Sequence, residues 1–180
     1  MGKRRRVAEK HKNLKVENKM PLLIKKFEGL IIPFQEQIKS RQYLEAEKTA
    51  YQLLAIVPKH RDVLANLACI YIELGNAEQA RKTCNDLIKL YPDYGYGLYI
   101  MGRVLFLENE WQRAIDMVGL ALRSNNVLND DVKSKCYNLL GAAYGRLGEA
   151  EKSLQSYFTA IKYDEDISDK LNSYFYHHNS

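Results

Sequence analysis

The chain has 180 residues, of which 46% are hydrophobic and 27% are charged, a composition typical of one folded domain or a short array of repeats. It contains no stretch of about 18 apolar residues, so we expect no membrane-spanning helix. The net charge is +5, and the three cysteines, Cys69, Cys84 and Cys136, lack the paired spacing of metal or disulfide motifs. We therefore expect reduced thiols and a cytoplasmic location.

The first 26 residues carry most of the positive charge. They contain ten Lys or Arg residues against Glu9 and Glu17, whereas the remainder has 17 Lys or Arg against 20 Asp or Glu. The basic run KRRR at 3–6 could contact phosphates, but residues 1–19 hold no Phe, Trp or Tyr to stack on bases, so we do not expect nucleic-acid binding. We interpret 1–19 as a solvated, disordered tail and place the folded part at 20–180.

After the tail, apolar residues recur three and four apart, which predicts helices throughout. Pro58 and Pro92 would end the helices that precede them, and Pro33 would kink or split the first helix. In chain order the helices are expected at about 21–39, 43–56, 61–74, 77–90, 95–108, 111–124, 131–147, 150–163 and, as a final piece, 167–177.

The predicted helices recur in pairs. Ala46, Ala80 and Ala114 are each 34 residues apart, whereas Ser153 follows Ala114 by 39, so five residues are inserted before the last pair. Each first helix carries a large residue followed by a small one, at Leu67–Ala68, Met101–Gly102 and Leu140–Gly141. The small residues would let paired helices approach closely, and Gly75, Asn109 and Gly148 would turn the chain between them in a left-handed conformation.

A period of 34 with this arrangement of large, small and turn residues resembles the tetratricopeptide repeat family. The resemblance covers roughly 27–166, as a degenerate unit at 27–60 and clear units at 61–94, 95–128 and 134–167. It implies an all-α fold, a right-handed α-solenoid of antiparallel helix pairs, with the piece at 167–177 as a capping helix. The aromatic run at 174–176 in that piece is also compatible with a homodimer.

The sequence contains no motif for phosphate-binding loops, zinc proteases, hydrolase nucleophiles or paired CxxC sites. His177 and His178 would need metal ligands from elsewhere, so we interpret them as a polar terminus. We therefore predict no catalytic residues, no metal and no cofactor, and a protein that is not an enzyme.

In this family the first helix of each unit lines a concave groove. The resemblance implies which positions of this chain face the groove, because the repeats align residue by residue. Tyr, Arg and Asn side chains at these positions suit the binding of an extended peptide. The predicted groove residues are Asn66, Tyr96, Tyr99, Arg103, Asn138 and Arg146. The alternative is that Tyr96 and Tyr99 only pack on neighbouring helices.

These features predict a protein-interaction adaptor that binds a peptide or helix of a partner protein. A subset of the family clamps the C-terminal carboxylate of heat-shock chaperones, but only Asn66 matches, and Ile100 stands where a basic residue is needed. One alternative is the acceptor-guiding part of a truncated or split protein O-glycosyltransferase, whose asparagine-lined groove is similar to the surroundings of Asn66. Another is a small secretion-type chaperone.

Overall fold

A computed structural model describes residues 20–124 and 128–164. Within these ranges the chain forms eight helices and no strand: α1 Met20–Lys39, α2 Tyr43–Ile56, α3 Arg61–Glu73, α4 Ala77–Leu90, α5 Gly95–Leu107, α6 Trp111–Arg123, α7 Asp130–Arg146 and α8 Ala150–Lys162. The chain divides into two compact units, with the boundary between Val63 and Leu64. The all-α class of paired helices is thus confirmed.

Every predicted helix in the described ranges is found, with each end within one residue of its expected position. Of the two outcomes expected at Pro33, a kink or a split, the split does not occur, because α1 runs through Pro33 without a break. The carbonyl that loses its helical N–H partner belongs to Gly29, which is exposed, so water can take the place of that partner. The tail at 1–19 and the piece at 167–177, with the homodimer predicted from it, lie outside the described residues.

The turn inside each helix pair has the same geometry in all four repeats. One residue adopts a positive φ, at Arg41 (57°), Gly75 (72°), Asn109 (61°) and Gly148 (77°). The N–H of the next residue then donates to a carbonyl five positions earlier, over 2.8 to 3.0 Å, in the pairs 42–37, 76–71, 110–105 and 149–144. This hydrogen bond closes the end of the first helix. The three predicted turn residues are confirmed, and Arg41, which we did not predict, shows that the degenerate repeat keeps the turn.

Small residues are needed where the paired helices of the second compact unit meet. A Cβ atom placed on Gly102 of α5 would lie 2.7 Å from Val118 Cγ2 of α6. One on Gly141 of α7 would lie 2.9 Å from the Tyr157 ring of α8. Both distances are shorter than a carbon–carbon contact allows, so Val118 and Tyr157 pack directly on the glycine backbone, where any side chain would collide with them.

Equivalent positions of the second helices α4 and α6 carry residues of different chemistry. Arg81 in α4 pairs with Glu108 and, over 2.6 Å, with Glu110, both in the turn between α5 and α6. The residue 34 positions after Arg81 is Ile115, which is only 8% exposed in α6. The same position of the second helix therefore carries an ion-paired arginine in one repeat and a buried isoleucine in the next.

Candidate functional site

The predicted groove positions lie on α3, α5 and α7, the first helices of three successive repeats. The three positions on α5 are three and four residues apart, and the two on α7 are eight apart, about two turns, so the positions within each of these helices share one side. Contacts from Cys69 and Glu73 of α3 to Tyr96 and Arg103 of α5 show that the corresponding sides of these two helices are adjacent. We call this side of the three helices the first-helix side.

Five side chains of α3 and α5 form one connected group on this side, the α3–α5 cluster of Cys69, Glu73, Tyr96, Tyr99 and Arg103. The Tyr96 hydroxyl lies 3.6 Å from Cys69 Sγ. Arg103 donates from Nη2 to Glu73 Oε1 over 2.8 Å and approaches Cys69 Sγ with Nη1 at 3.9 Å. The Tyr96 and Tyr99 rings stack with centroids 5.9 Å apart. The cluster thus ties α3 to α5.

Burial favours the protonated forms of the two phenols and the thiol of the cluster. Burial raises the pKa of Tyr96, raises that of Tyr99 to about 12, and raises that of the Cys69 thiol although the Arg103 charge opposes this. Burial would lower the pKa of Arg103, but its hydrogen bond to Glu73 and the nearby groups more than offset this and raise it. The phenols and thiol stay protonated, so the cluster offers no thiolate nucleophile.

The six predicted groove residues fall into two groups. Tyr96, Tyr99 and Arg103 belong to the α3–α5 cluster, and Tyr99 is only 7% exposed. The other three are Asn66, which is half-buried, and Asn138 and Arg146, which are exposed. None of these three makes a side-chain hydrogen bond or ion pair with another residue that the structure describes. Their polar groups therefore point to solvent or to a ligand.

A cavity of about 930 Å³ opens beside the start of α7 and the end of α8. Among the residues that line it are Asp131, Lys135, Asn138 and Tyr163. Lys135 pairs with Asp131 over 2.6 Å, so the wall of the cavity is polar but largely neutralised. Asn138 therefore lies on both the first-helix side and the cavity wall.

Sequence reasoning missed two features of this region. The Arg103–Glu73 pair had a signal, since opposite charges stand 30 residues apart at inward positions of consecutive first helices. The second feature is the stack of Tyr137 on Tyr163, with centroids 5.7 Å apart and planes 3° apart, under the ammonium group of Lys133 at 5.0 Å. Lys133 and Tyr137 are one helical turn apart on α7, but no local pattern links them to Tyr163.

Residues 20–124 and 128–164 offer neither a metal site nor a membrane-spanning helix. No group of three or more His, Cys, Asp or Glu side chains in these ranges could hold a metal ion. None of the helices there is long and apolar enough to cross a membrane. The pair His177–His178 lies outside the described residues.

The helices come in pairs, and the four turns inside the pairs share one geometry. The first helices α3 and α7 also carry polar side chains without a partner among the described residues. These features define a helical repeat protein. Such proteins stack repeats and use the resulting surface to bind other proteins. Two family models described as tetratricopeptide repeat match residues 37–103 and 134–167, together more than half of the chain. The chain belongs to the tetratricopeptide repeat family, as its sequence predicted.

Similar proteins support this assignment. The Hsp70-Hsp90 organizing protein of Triticum aestivum is 26% identical over 139 residues, an alignment that covers 76% of this chain and 24% of that protein. The chain thus spans about a quarter of the length of this curated relative. The family repeats support a protein-interaction role.

Solved structures of repeat proteins share the fold. A thermophilic tetratricopeptide repeat protein of Thermus thermophilus superposes with a TM-score of 0.67 at 21% identity, over 82% of this chain and 80% of its own. MamA of Desulfovibrio magneticus gives 0.61 at 19% identity, over 77% and 76%. The Sgt2 repeat domain of Aspergillus fumigatus gives 0.60 at 18%, over 71% and 82%. At these identities the likeness shows the fold alone.

Proposed function

We propose that the chain is a non-catalytic adaptor that binds a segment of a partner protein along the first-helix side of α3, α5 and α7. The observation that carries the proposal is that Asn66, Asn138 and Arg146 lie on this side without a partner among the described residues. Polar side chains that are not needed by the fold are available to a ligand.

The chemistry of these side chains suggests how a segment would be held. Each asparagine amide offers both donors and an acceptor and so can pair with the main chain of an extended peptide. The forked guanidinium of Arg146 suits a carboxylate of that peptide. Half-buried Phe106 and Leu139 supply apolar contact area between them. We therefore expect a mostly uncharged segment with one acidic group near the end of α7.

The α3–α5 cluster has a different role in this proposal. Because Glu73 already neutralises Arg103, this cation is not free to attract a second carboxylate. The stacked tyrosines are held on α5 and give the floor of the binding surface a fixed shape. We thus expect binding with little movement of the backbone, as is usual for preformed surfaces.

Site-specific photo-crosslinking tests the proposal. A benzoylphenylalanine residue replaces Asn138 on the first-helix side or, as the control, exposed Asn85 on α4, and lysate of the source organism is irradiated. We expect a discrete crosslinked partner from position 138 that is absent from position 85. Mass spectrometry of the crosslinked band identifies the bound segment.

Affinity for that identified segment is then measured with matched variants. Asn138→Ala/Arg146→Ala should weaken binding about tenfold or more, as for side chains that anchor an interface. Asn85→Ala/Lys89→Ala removes an amide and a cation from exposed positions of α4 and should leave the affinity unchanged. If the two double variants weaken binding equally while both keep their helical content, the binding surface is not the first-helix side.

The name of the wheat relative connects that protein with two chaperones. In this chain Ile100, at the position where the chaperone clamp needs a basic residue, is 0% exposed. A buried isoleucine cannot contact a carboxylate, so we propose that any chaperone partner is held by a different set of contacts.

A second candidate is the guidance of acceptor polypeptides to a protein O-glycosyltransferase. It rests on the same observation that Asn66 of α3 and Asn138 of α7 have free amides on the first-helix side. It predicts a glycosyltransferase reading frame next to the gene, which sequencing of the flanking DNA would reveal. We further propose a cytoplasmic location, since Cys69, Cys84 and Cys136 are free thiols.

A further inference from the structure

Helix α1 extends past the helix with which it is paired. It has 20 residues and α2 has 14, so at about 1.5 Å per residue α1 is longer by about 9 Å. The two helices run antiparallel from the turn at Arg41, so the extra length lies at the start of α1. Residues 20–26 are all exposed, and Phe27, whose ring centroid lies 5.0 Å from that of His60, is the first to be partly covered. We call residues 20–26 the α1 overhang.

One side of the α1 overhang is apolar and continues the side that α1 packs on α2. Phe34 on the packed side is 1% exposed. Steps of three and four residues back from Phe34 give a line of apolar residues on one side of the helix, namely Ile31, Phe27, Ile24 and Met20, with Leu23 beside them. Within the overhang Met20, Leu23 and Ile24 are 49%, 40% and 51% exposed. The described part of the fold therefore leaves this apolar side uncovered.

The α1 overhang also belongs to the most basic part of the sequence. Its two charged residues are Lys25 and Lys26, and both are exposed. Residues 1–19, directly before it, add eight Lys or Arg against Glu9 and Glu17. The residues after position 26 carry more acidic than basic side chains. An exposed apolar helix side thus coincides with the concentration of positive charge.

We propose that the α1 overhang binds the surface of an anionic lipid bilayer. Met20, Leu23 and Ile24 enter the boundary between headgroups and acyl chains, while Lys25 and Lys26 contact lipid phosphates. Apolar area and positive charge both favour such a surface, and their contributions add. The chain would then lie on the bilayer without crossing it, which leaves the first-helix side of α3, α5 and α7 to a protein partner.

Charge and apolar area together distinguish a bilayer from other anionic or apolar ligands. A nucleic acid would use the cations but leave the apolar side in water, and residues 20–26 hold no aromatic ring to stack on bases. A second copy of the chain could cover the apolar side, but it would bring two sets of like charges together, which opposes association.

Sedimentation of the full-length chain with lipid vesicles tests the proposal. Vesicles of phosphatidylcholine with about one third phosphatidylserine should bind the chain about tenfold or more tightly than vesicles of phosphatidylcholine alone. Added salt should weaken the binding, because it screens the lysine–phosphate attraction. Absence of binding to the anionic vesicles, or equal binding to both kinds, would overturn the proposal.

Matched variants test the apolar side by itself. Leu23→Ser/Ile24→Ser keeps every charge and should weaken binding to the anionic vesicles about tenfold or more, because apolar area is lost. Ile32→Ser/Leu44→Ser is the control, since Ile32 and Leu44 are 65% and 58% exposed but lie outside the α1 overhang, and it should leave binding unchanged. Equal binding of the two double variants would overturn the proposal.

Tryptophan fluorescence reports whether the apolar side enters the bilayer. The emission of Leu23→Trp should shift to shorter wavelength when anionic vesicles are added, whereas that of Ile32→Trp should not, and Trp111 is common to both. Vesicle binding without this shift would mean that the cations act alone and would overturn the proposal. Tighter binding to duplex DNA than to the vesicles, unchanged in Leu23→Ser/Ile24→Ser, would also overturn it and identify a nucleic acid as the ligand.

Discussion

At the scale of single residues, equivalent positions have different roles in successive repeats. Tyr99 and Asn138 stand at the same position of α5 and α7, yet Tyr99 is 7% exposed and Asn138 is exposed. Tyr99 is covered because α5 has a first helix on either side, whereas α7 has a first helix on one side only within the described ranges. The repeat register therefore predicts where a residue lies on its helix, but it does not predict whether the side chain is exposed and able to bind a ligand.

Close packing at Gly102 leads to a prediction for single residues. Gly102→Ala should lower the free energy of unfolding by about 1–3 kcal/mol, because its Cβ atom would lie 2.7 Å from Val118 Cγ2. Gly119→Ala on α6 is the matched control, since its nearest neighbour is the flexible end of Arg123 at 3.3 Å, and it should be neutral or gain up to about 1 kcal/mol from helix propensity. Urea denaturation followed by circular dichroism measures both. Equal stability of the two variants would show that α5 and α6 are not packed as described.

At the scale of helices and turns, the sequence predicted most of what is found. Helix ends were predictable because Gly75 and Gly148 stand at turns, Pro58 and Pro92 follow second helices, and apolar residues keep helical spacing. These signals act within a few residues of the chain. The turn at Arg41 escaped prediction because arginine has no preference for positive φ. The hydrogen bond between residues 42 and 37 and the packing of α1 on α2 accompany it.

The strained turn gives a prediction at this scale. Arg41→Gly should raise the free energy of unfolding by about 0.5–1 kcal/mol, since glycine adopts φ of 57° without the cost that a side chain brings. Lys48→Gly in α2 removes a similar exposed cation from a helical position and should lower stability by about 1 kcal/mol. Thermal and urea unfolding of the two variants compare these effects. A loss of stability in Arg41→Gly would mean that the arginine side chain contributes more than its backbone costs.

At the scale of the whole molecule, most of the excess positive charge lies before the residues that form the core. The basic residues concentrate in 1–26, while the residues after position 26 have more acidic than basic side chains. The buried residues of the described ranges begin with Phe34, which is 1% exposed in α1. The basic tail and the packed helices are therefore distinct parts of the sequence, and we expect the helices to fold without the tail.

Deletion of residues 1–19 tests this expectation. The helical circular dichroism signal and the unfolding midpoint should both stay unchanged, because the buried side chains described here all lie within 34–160. Deletion of residues 1–34 is the control that removes Phe34 from the core and should lower the midpoint. A clear loss of helical signal on the shorter deletion would make the tail part of the fold.

The sequence by itself determined the repeat, its family, the helix bounds and three of four turn residues, because each depends on local conformation and on a 34-residue periodicity. Only the tertiary structure decided which polar side chains are free. Arg103 meets Glu73 across 30 residues, and Tyr137 meets Tyr163 across 26. Such pairs form where helices distant in sequence come together. Whether Asn66, Asn138 or Arg146 finds a partner in the fold therefore depends on side-chain distances that no periodicity specifies.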